Sequence, residues 1–140
     1  MRHGTKEQEI VRVDSKGRIT IPARMREELE LQEGTYAVVR FDRESKQINV
    51  SLFAGAKAKL VELKLKMSDR PGALARAART LSELNLDLMT SSSRTIKKGD
   101  LAEWIVIADI SQSNKSLEEI KSKILGNHDA NEVEINEMPM

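Results

Sequence analysis

The 140-residue chain contains no cysteine and only four aromatic residues. Without cysteine it can form neither a disulfide framework nor a thiolate metal site. No apolar run reaches the length of a membrane span, and the charged N-terminal residues do not resemble a secretory signal. We therefore expect a cytoplasmic protein with no membrane partner.

The chain also lacks a large net charge, because 23 basic residues nearly balance 22 acidic ones. The distribution of these charges is uneven. Residues 12–26 hold five cations and one carboxylate, whereas residues 27–33 hold four glutamates and no cation. Clustered Arg and Lys on a small module indicate contact with a phosphate backbone, so the segment predicts binding to double-stranded DNA.

The N-terminal part has the pattern of a small β-rich unit. Alternation predicts a strand over residues 9–14, and Lys16-Gly17 predicts a turn into a second strand over residues 18–21. Pro22 suits the first position of a short helix, and Gly34 ends that region.

A hairpin is predicted next, from residues 36–41 and 47–52. The following segment, residues 54–59, is small, charged and aperiodic, and is interpreted as a linker. The predicted domains are therefore residues 1–53 and 60–140.

The second half predicts a β-α-β-β-α-β order, which is the ferredoxin-like arrangement. Its predicted elements are a strand at 61–67, a helix from Pro71, strands at 86–96 and 101–110, a helix capped by Ser116 and Glu119, and a strand at 133–135.

The basic cluster has two interpretations. One is a solvated helix face, in which Arg24 pairs with Glu28 and Arg26 with Glu30, each four residues apart. Two arguments favour a functional role instead: the Arg-before-Glu order is the weaker orientation, and cations in a first helical turn oppose the helix dipole. A phosphate bound near that turn would offset this penalty. The candidate DNA-binding residues are Arg12, Lys16, Arg18, Arg24 and Arg26.

The run V-D-x-x-G-R-I-x-I-P at residues 13–22, followed by an Arg-bearing helix, resembles the SpoVT/AbrB-type domains of prokaryotic regulators and antitoxins. The resemblance implies a swapped-hairpin β-barrel formed by an intertwined dimer, with basic residues of both chains facing DNA. Arg12, Arg18 and Arg26 match the basic positions of that family. Glu27 stands where the family often has a second arginine, which lowers the charge of the surface.

The run D-R-P-G-x-L at residues 69–74, joining a strand to a helix, resembles the opening of an ACT domain. The resemblance implies a regulatory module that binds a small amino acid. The implied ligand-binding residues are Asp69, Gly72, Ala73, Leu74 and Asp87. A carboxylate at Asp69 suits an amino group, and the helix start offers free N–H groups to a carboxylate. The alternative is purely structural, with Asp69 capping the helix and the module serving only to dimerise.

The expected architecture is thus α+β, and the expected function is transcription regulation by a homodimer or tetramer that needs no cofactor beyond a possible amino-acid effector. No nucleophile–base pair or phosphate loop is evident, and His3 and His128 have no partners at metal spacing, so neither an enzyme nor a metal site is expected. The alternative is a regulatory subunit of an amino-acid biosynthetic enzyme. An antitoxin is disfavoured because its toxin-binding tail should be disordered, whereas this second half reads as folded.

Overall fold

The computed structural model describes residues 7–126 and 130–138. The chain divides into two compact units, Met1–Lys57 and Ala58–Met140. Its nine helices and strands in these described ranges are α1 (Ala23–Glu28), β1 (Tyr36–Asp42), β2 (Gln47–Ala54), β3 (Leu60–Ser68), α2 (Ala73–Glu83), β4 (Asp87–Lys97), β5 (Leu101–Asp109), α3 (Leu117–Leu125) and β6 (Ala130–Glu137). The protein is therefore a mixed α+β chain, and both of its sheets are antiparallel.

In the second unit the strands follow the order β4-β5-β3-β6, as the predicted ferredoxin-like arrangement requires. Alternate residues of β3 are buried on one face, and they share a core with residues of both α2 and α3. The two helices therefore lie on the same face of this sheet. Leu65 is central to that core: it is paired with Trp104 on β5 and with Val133 on β6. The largest fully buried side chains of this core are Leu63, Leu65, Met67, Leu81, Ile120, Ile124, Val61 and Val106.

Over the described residues 7–57, the first unit has one two-stranded sheet, formed by β1 and β2 in the predicted hairpin. Residues 9–14 and 18–21 are not strands, so these two predictions are wrong for the single chain. An extended segment needs a neighbouring strand for its N–H and C=O groups. Here the backbone supplies only turn bonds: Asp14 N–H donates to Arg18 C=O at 3.0 Å, and Gly17 N–H donates to Asp14 C=O at 3.1 Å.

Helix α1 differs from its prediction at both ends. Pro22 is the residue before the helix rather than its first member. The helix ends at Glu28, earlier than the predicted Gly34. Two residues later the backbone is left-handed at Glu30 (φ 58°), and the N–H of Leu31 donates to the C=O of Arg26 at 2.9 Å. This six-residue loop closure is the Schellman arrangement, which usually places Gly at the left-handed position. Gly34 (φ 88°) belongs to a separate turn before β1.

The second unit matches its predicted helix ends more closely. Ser116 and Glu119 form the predicted capping box, in which each side chain accepts the backbone N–H of the other residue at 3.1 Å. Asn85 (φ 61°) ends α2, with the N–H of Leu86 donating to the C=O of Leu81. Gly126 follows α3, whereas the other predicted stop residue, Asn127, lies outside the described residues.

Candidate functional site

The turn at Gly17 is organised by the side chain of Asp14. One carboxylate oxygen, Oδ1, accepts the backbone N–H groups of Lys16 and Arg18, both at 2.9 Å. The other, Oδ2, accepts Nε–H of Arg18 at 2.8 Å. These hydrogen bonds from Arg18 lower the pKa of Asp14, so the carboxylate is ionised throughout the neutral range. Gly17 has φ 77°, and this left-handed conformation explains why glycine follows Lys16.

Two of the five candidate cations lie beside this turn without a carboxylate partner. Arg12 and Lys16 are exposed, and no ion pair among the described residues involves either. Arg18 keeps 70% of its side chain exposed although it is bound to Asp14. The turn therefore presents three cations to solvent from one short segment.

The other two cations lie on α1 and are held by the chain. Arg24 pairs with Glu7 at 2.8 Å and with Glu28 at 3.7 Å. The Glu28 contact is the helix pair expected under the solvated-face interpretation. The side chain of Arg26 donates to the backbone C=O of Ile21 instead of pairing four residues onward.

A cleft of about 160 Å³ lies in the second unit, where the β3–α2 loop meets β4 and β5. Two of the predicted ligand-binding residues, Asp69 and Leu74, line it. The complete lining is Met67, Ser68, Asp69, Arg70, Leu74, Ser93, Arg94, Thr95, Ala102, Glu103 and Trp104. The cleft thus combines an apolar floor with hydroxyl, carboxylate and guanidinium groups, as sites for small polar ligands do.

The predicted ligand-binding residues do not all converge. Asp69 accepts the backbone N–H of Gly99 at 2.9 Å, so its carboxylate ties the loop to the β4–β5 turn rather than capping α2. Gly72 precedes α2 with φ 85°, and Ala73 is buried in the core; neither lines the cleft. Asp87 lies at the far end of the sheet, paired with Asp109, whereas Asp69 follows the opposite end of β3.

Sequence reasoning missed most of the wall that β4 contributes. Ser93 and Thr95 face Trp104 and Ala102 across the β4–β5 ladder. Neither residue is among the ligand-binding residues that the ACT resemblance implies. The register of the β4–β5 hairpin could have identified these residues, because pairing across the turn at residues 97–100 determines which hydroxyls lie on the same face as Trp104. Ser68 Oγ is buried there with no hydrogen-bond partner in the described chain.

The described residues contain neither a candidate metal centre nor a candidate membrane-spanning helix. No group of three or more His, Asp or Glu side chains there could hold a metal ion. His3 and His128 lie outside the described residues. No described helix is long and apolar enough to cross a membrane.

Comparison with protein families identifies both units. The model of the ACT domain matches residues 61–125. The model of the bacterial antitoxin MazE, described as antidote-toxin recognition, matches residues 10–42. The chain combines a MazE/AbrB-type domain with an ACT domain. Both families are regulatory rather than catalytic. The MazE-type match supports a role in DNA-binding regulation, and the ACT match supports amino-acid binding.

Solved structures resemble the chain only loosely. An unknown protein from Galdieria sulphuraria is 14% identical with a TM-score of 0.48, covering 59% of this chain and 46% of its own. The C-terminal domain of MgtC from Mycobacterium tuberculosis is 7% identical with a TM-score of 0.45, covering 58% and 88%. GqqA, titled a quorum quenching acylase, is 14% identical with a TM-score of 0.48, covering 86% and 64%. This chain therefore spans less than two thirds of the length of the first and third. No curated protein matches it.

Proposed function

We propose that the chain is a prokaryotic DNA-binding transcription regulator whose ACT domain senses a small amino acid and helps the chain to assemble. The observation that carries the DNA-binding part is the turn at Gly17. Arg12, Lys16 and Arg18 are exposed there within one segment of seven residues, and the only acid among them holds Arg18. An exposed, locally unbalanced set of cations suits a phosphate backbone.

A second copy of the chain is part of this proposal. Pairing of β1 with β2 places Val39 opposite Val50 and Phe41 opposite Ile48 on one face of the hairpin. Val39, Phe41 and Ile48 are each more than 60% exposed. The described part of the first unit buries only two hydrophobic side chains, Leu31 and Ala54. Such a unit cannot be stable alone, because apolar burial is what offsets the entropy of folding.

The apolar segments before α1 supply the complementary surface. Ile10 is 99% exposed, Val13 62% and Ile19 53%, and their backbone has no ladder partner within the described chain. In an intertwined dimer these segments would pair as strands with the other chain and cover the hairpin faces. The swapped-hairpin barrel would then account for both the exposed apolar face and the absent strands. It would also place two Gly17 turns on one assembly.

Dimerisation also provides a role for Asp87 in the effector site. Strand β4 is the edge of its sheet, so its outer backbone groups are free to pair with another β4. Antiparallel pairing centred on Ser92 would set the partner's Asp87 opposite Lys97. That end of β4 adjoins the cleft lined by Asp69 and Thr95. Two residues that a single chain separates would then face one ligand.

The test is fluorescence anisotropy of the full chain on labelled genomic fragments, including the region upstream of its own gene. Binding is measured across a salt series, with and without each of the twenty amino acids. We expect affinity that falls steeply with salt and that one amino acid changes. Binding that no amino acid changes would leave the ACT domain as an assembly element. No binding at low salt, with co-purification of a biosynthetic enzyme, would favour the enzyme-subunit alternative.

A further inference from the structure

Asp14 is the only acid between Arg12 and Arg26, and it lies in the middle of the surface that we assign to DNA. A carboxylate in this place repels phosphate, so Coulomb's law alone makes it unfavourable for binding. Its three hydrogen bonds nevertheless make it the most connected side chain of the turn.

The two carboxylate oxygens of Asp14 accept hydrogen bonds from different groups. Oδ1 accepts the N–H groups of Lys16 and Arg18 and so fixes the backbone of the turn. Oδ2 accepts only Nε–H of Arg18. This contact uses one of the five guanidinium donors and leaves the four terminal N–H groups available. Because the guanidinium is planar, holding Nε also fixes the direction in which those four donors point.

We propose that Asp14 is a positioning residue that orients the guanidinium of Arg18 for bidentate contact with nucleic acid. This inference rests on the proposed DNA-binding function. The carboxylate lowers the net charge of the surface, but it pre-organises a long side chain that would otherwise lose rotamer freedom on binding. Orientation matters most where a planar fork must match a base edge or a phosphate, so Asp14 also contributes to discrimination between DNA sequences.

The charge of Asp14 and its hydrogen bond to Arg18 have opposite expected effects on DNA affinity. One substitution can therefore distinguish them. Asp14→Asn removes the charge but keeps an amide oxygen that can accept the two backbone N–H groups. Its amide nitrogen cannot accept Nε–H of Arg18. If charge dominates, this variant binds DNA more tightly than the wild type. If positioning dominates, it binds about tenfold more weakly and discriminates less between sequences, as expected for the loss of a charge-assisted hydrogen bond.

The experiment measures the affinity of the full chain for its best fragment and for an unrelated fragment, in wild type, Asp14→Asn, Arg18→Ala and the double variant. Glu9→Gln is the matched control, since it removes the same charge from an exposed residue with no ion pair in the described chain. We expect Glu9→Gln to bind at least as tightly as wild type. In the Arg18→Ala background Asp14→Asn should have no weakening effect. Oligomer mass and thermal unfolding verify that each variant is folded.

Three results would overturn the proposal. If the proposal is right, Asp14→Asn binds DNA more weakly than Glu9→Gln, so equal affinities of these two variants contradict positioning. If Asp14→Asn still weakens DNA binding in the Arg18→Ala background, Asp14 acts only by fixing the backbone of the turn. Absence of DNA binding by the wild type would remove the proposed function itself, and this outcome is distinguishable because it does not depend on any variant.

Discussion

The five basic side chains differ in the hydrogen bonds and ion pairs that they already make within the chain. Arg12 and Lys16 form no ion pair with any described residue, and Arg18 is held by Asp14. Arg24 is shared between two carboxylates, so binding through it must break ion pairs that the chain already makes. Exposed pairs of this kind contribute little to stability, about 0–1 kcal/mol, and they can be exchanged for a phosphate at small cost. We therefore expect the contribution of each cation to depend on its partner rather than on its charge alone.

Replacing Arg18 or Arg26 by Ala should weaken DNA binding for all sequences and flatten its salt dependence. Each lost phosphate contact should lower the slope of log affinity against log salt by about 1. The matched control is Arg79→Ala, which removes an exposed cation from α2, outside the basic segment. Anisotropy titrations at four salt concentrations measure both quantities. An unchanged affinity and slope in both variants would exclude the assigned surface.

At the element scale, the capping box of α3 links stability to pH. The backbone N–H of Ser116 donates to Glu119 and lowers the pKa of that carboxyl below its ordinary value of 4.5. A lowered folded-state pKa stabilises the protein above the unfolded value, and this stabilisation is lost as the pH falls through the folded one. As the pH drops below about 4.5, we expect the free energy of unfolding to decrease by less in Glu119→Gln than in wild type.

Urea unfolding between neutral and acidic pH tests this expectation. The control is Glu118→Gln, which changes the neighbouring charge in the same helical turn without touching the cap. Ser116→Ala should lower stability by about 1 kcal/mol at neutral pH, because it leaves an N–H of the first turn unpaired. If Glu118→Gln and Glu119→Gln show the same pH profile, the capping contact does not carry the pH dependence.

The sequence predicted the elements of the second unit well because each pattern there is satisfied within the chain. Alternation in β3 is matched by Trp104 and Val133 on its neighbours, and Ser116 caps α3 locally. The strands predicted before α1 failed for the opposite reason. Val11 and Val13 alternate with polar residues as in a strand, but the described part of the chain offers them no ladder partner. A periodic pattern indicates what a segment can bury, not which molecule covers it.

The candidate sites were predictable to different degrees. Arg12, Lys16 and Arg18 lie within seven residues of sequence, so their grouping at the Gly17 turn could be predicted without knowledge of the fold. The cleft draws instead on four separate segments, and only Asp69 and Leu74 were found because they adjoin a recognisable loop. Ser93 and Thr95 enter through strand register, which a single sequence specifies weakly on a polar edge. The pairing of Asp14 with Arg18 depends on turn geometry that only coordinates reveal.

At the scale of the whole molecule, the first unit should depend on a second copy for its stability. Ile48→Asp places a charge on the exposed apolar face of the β1–β2 hairpin, and we expect it to abolish dimerisation of that unit. Asn49→Asp adds the same charge on the opposite face and is the matched control. Sedimentation velocity and concentration-dependent melting of the full chain measure the effect. Equal assembly of the two variants would show that this face is not the interface.

The proposed regulation makes a quantitative demand on the whole molecule, because a coupling free energy between two ligands is reciprocal. If an amino acid changes DNA affinity by some factor, saturating DNA must change the affinity for that amino acid by the same factor. We expect the two factors to agree when the amino acid is titrated calorimetrically with and without DNA. Leu74 lies in the ACT domain and lines the cleft. Leu74→Ala should therefore weaken amino-acid binding, while the DNA affinity measured without the amino acid stays unchanged. Unequal factors would show that the amino acid acts outside the proposed two-site equilibrium, for example on assembly at the concentrations used.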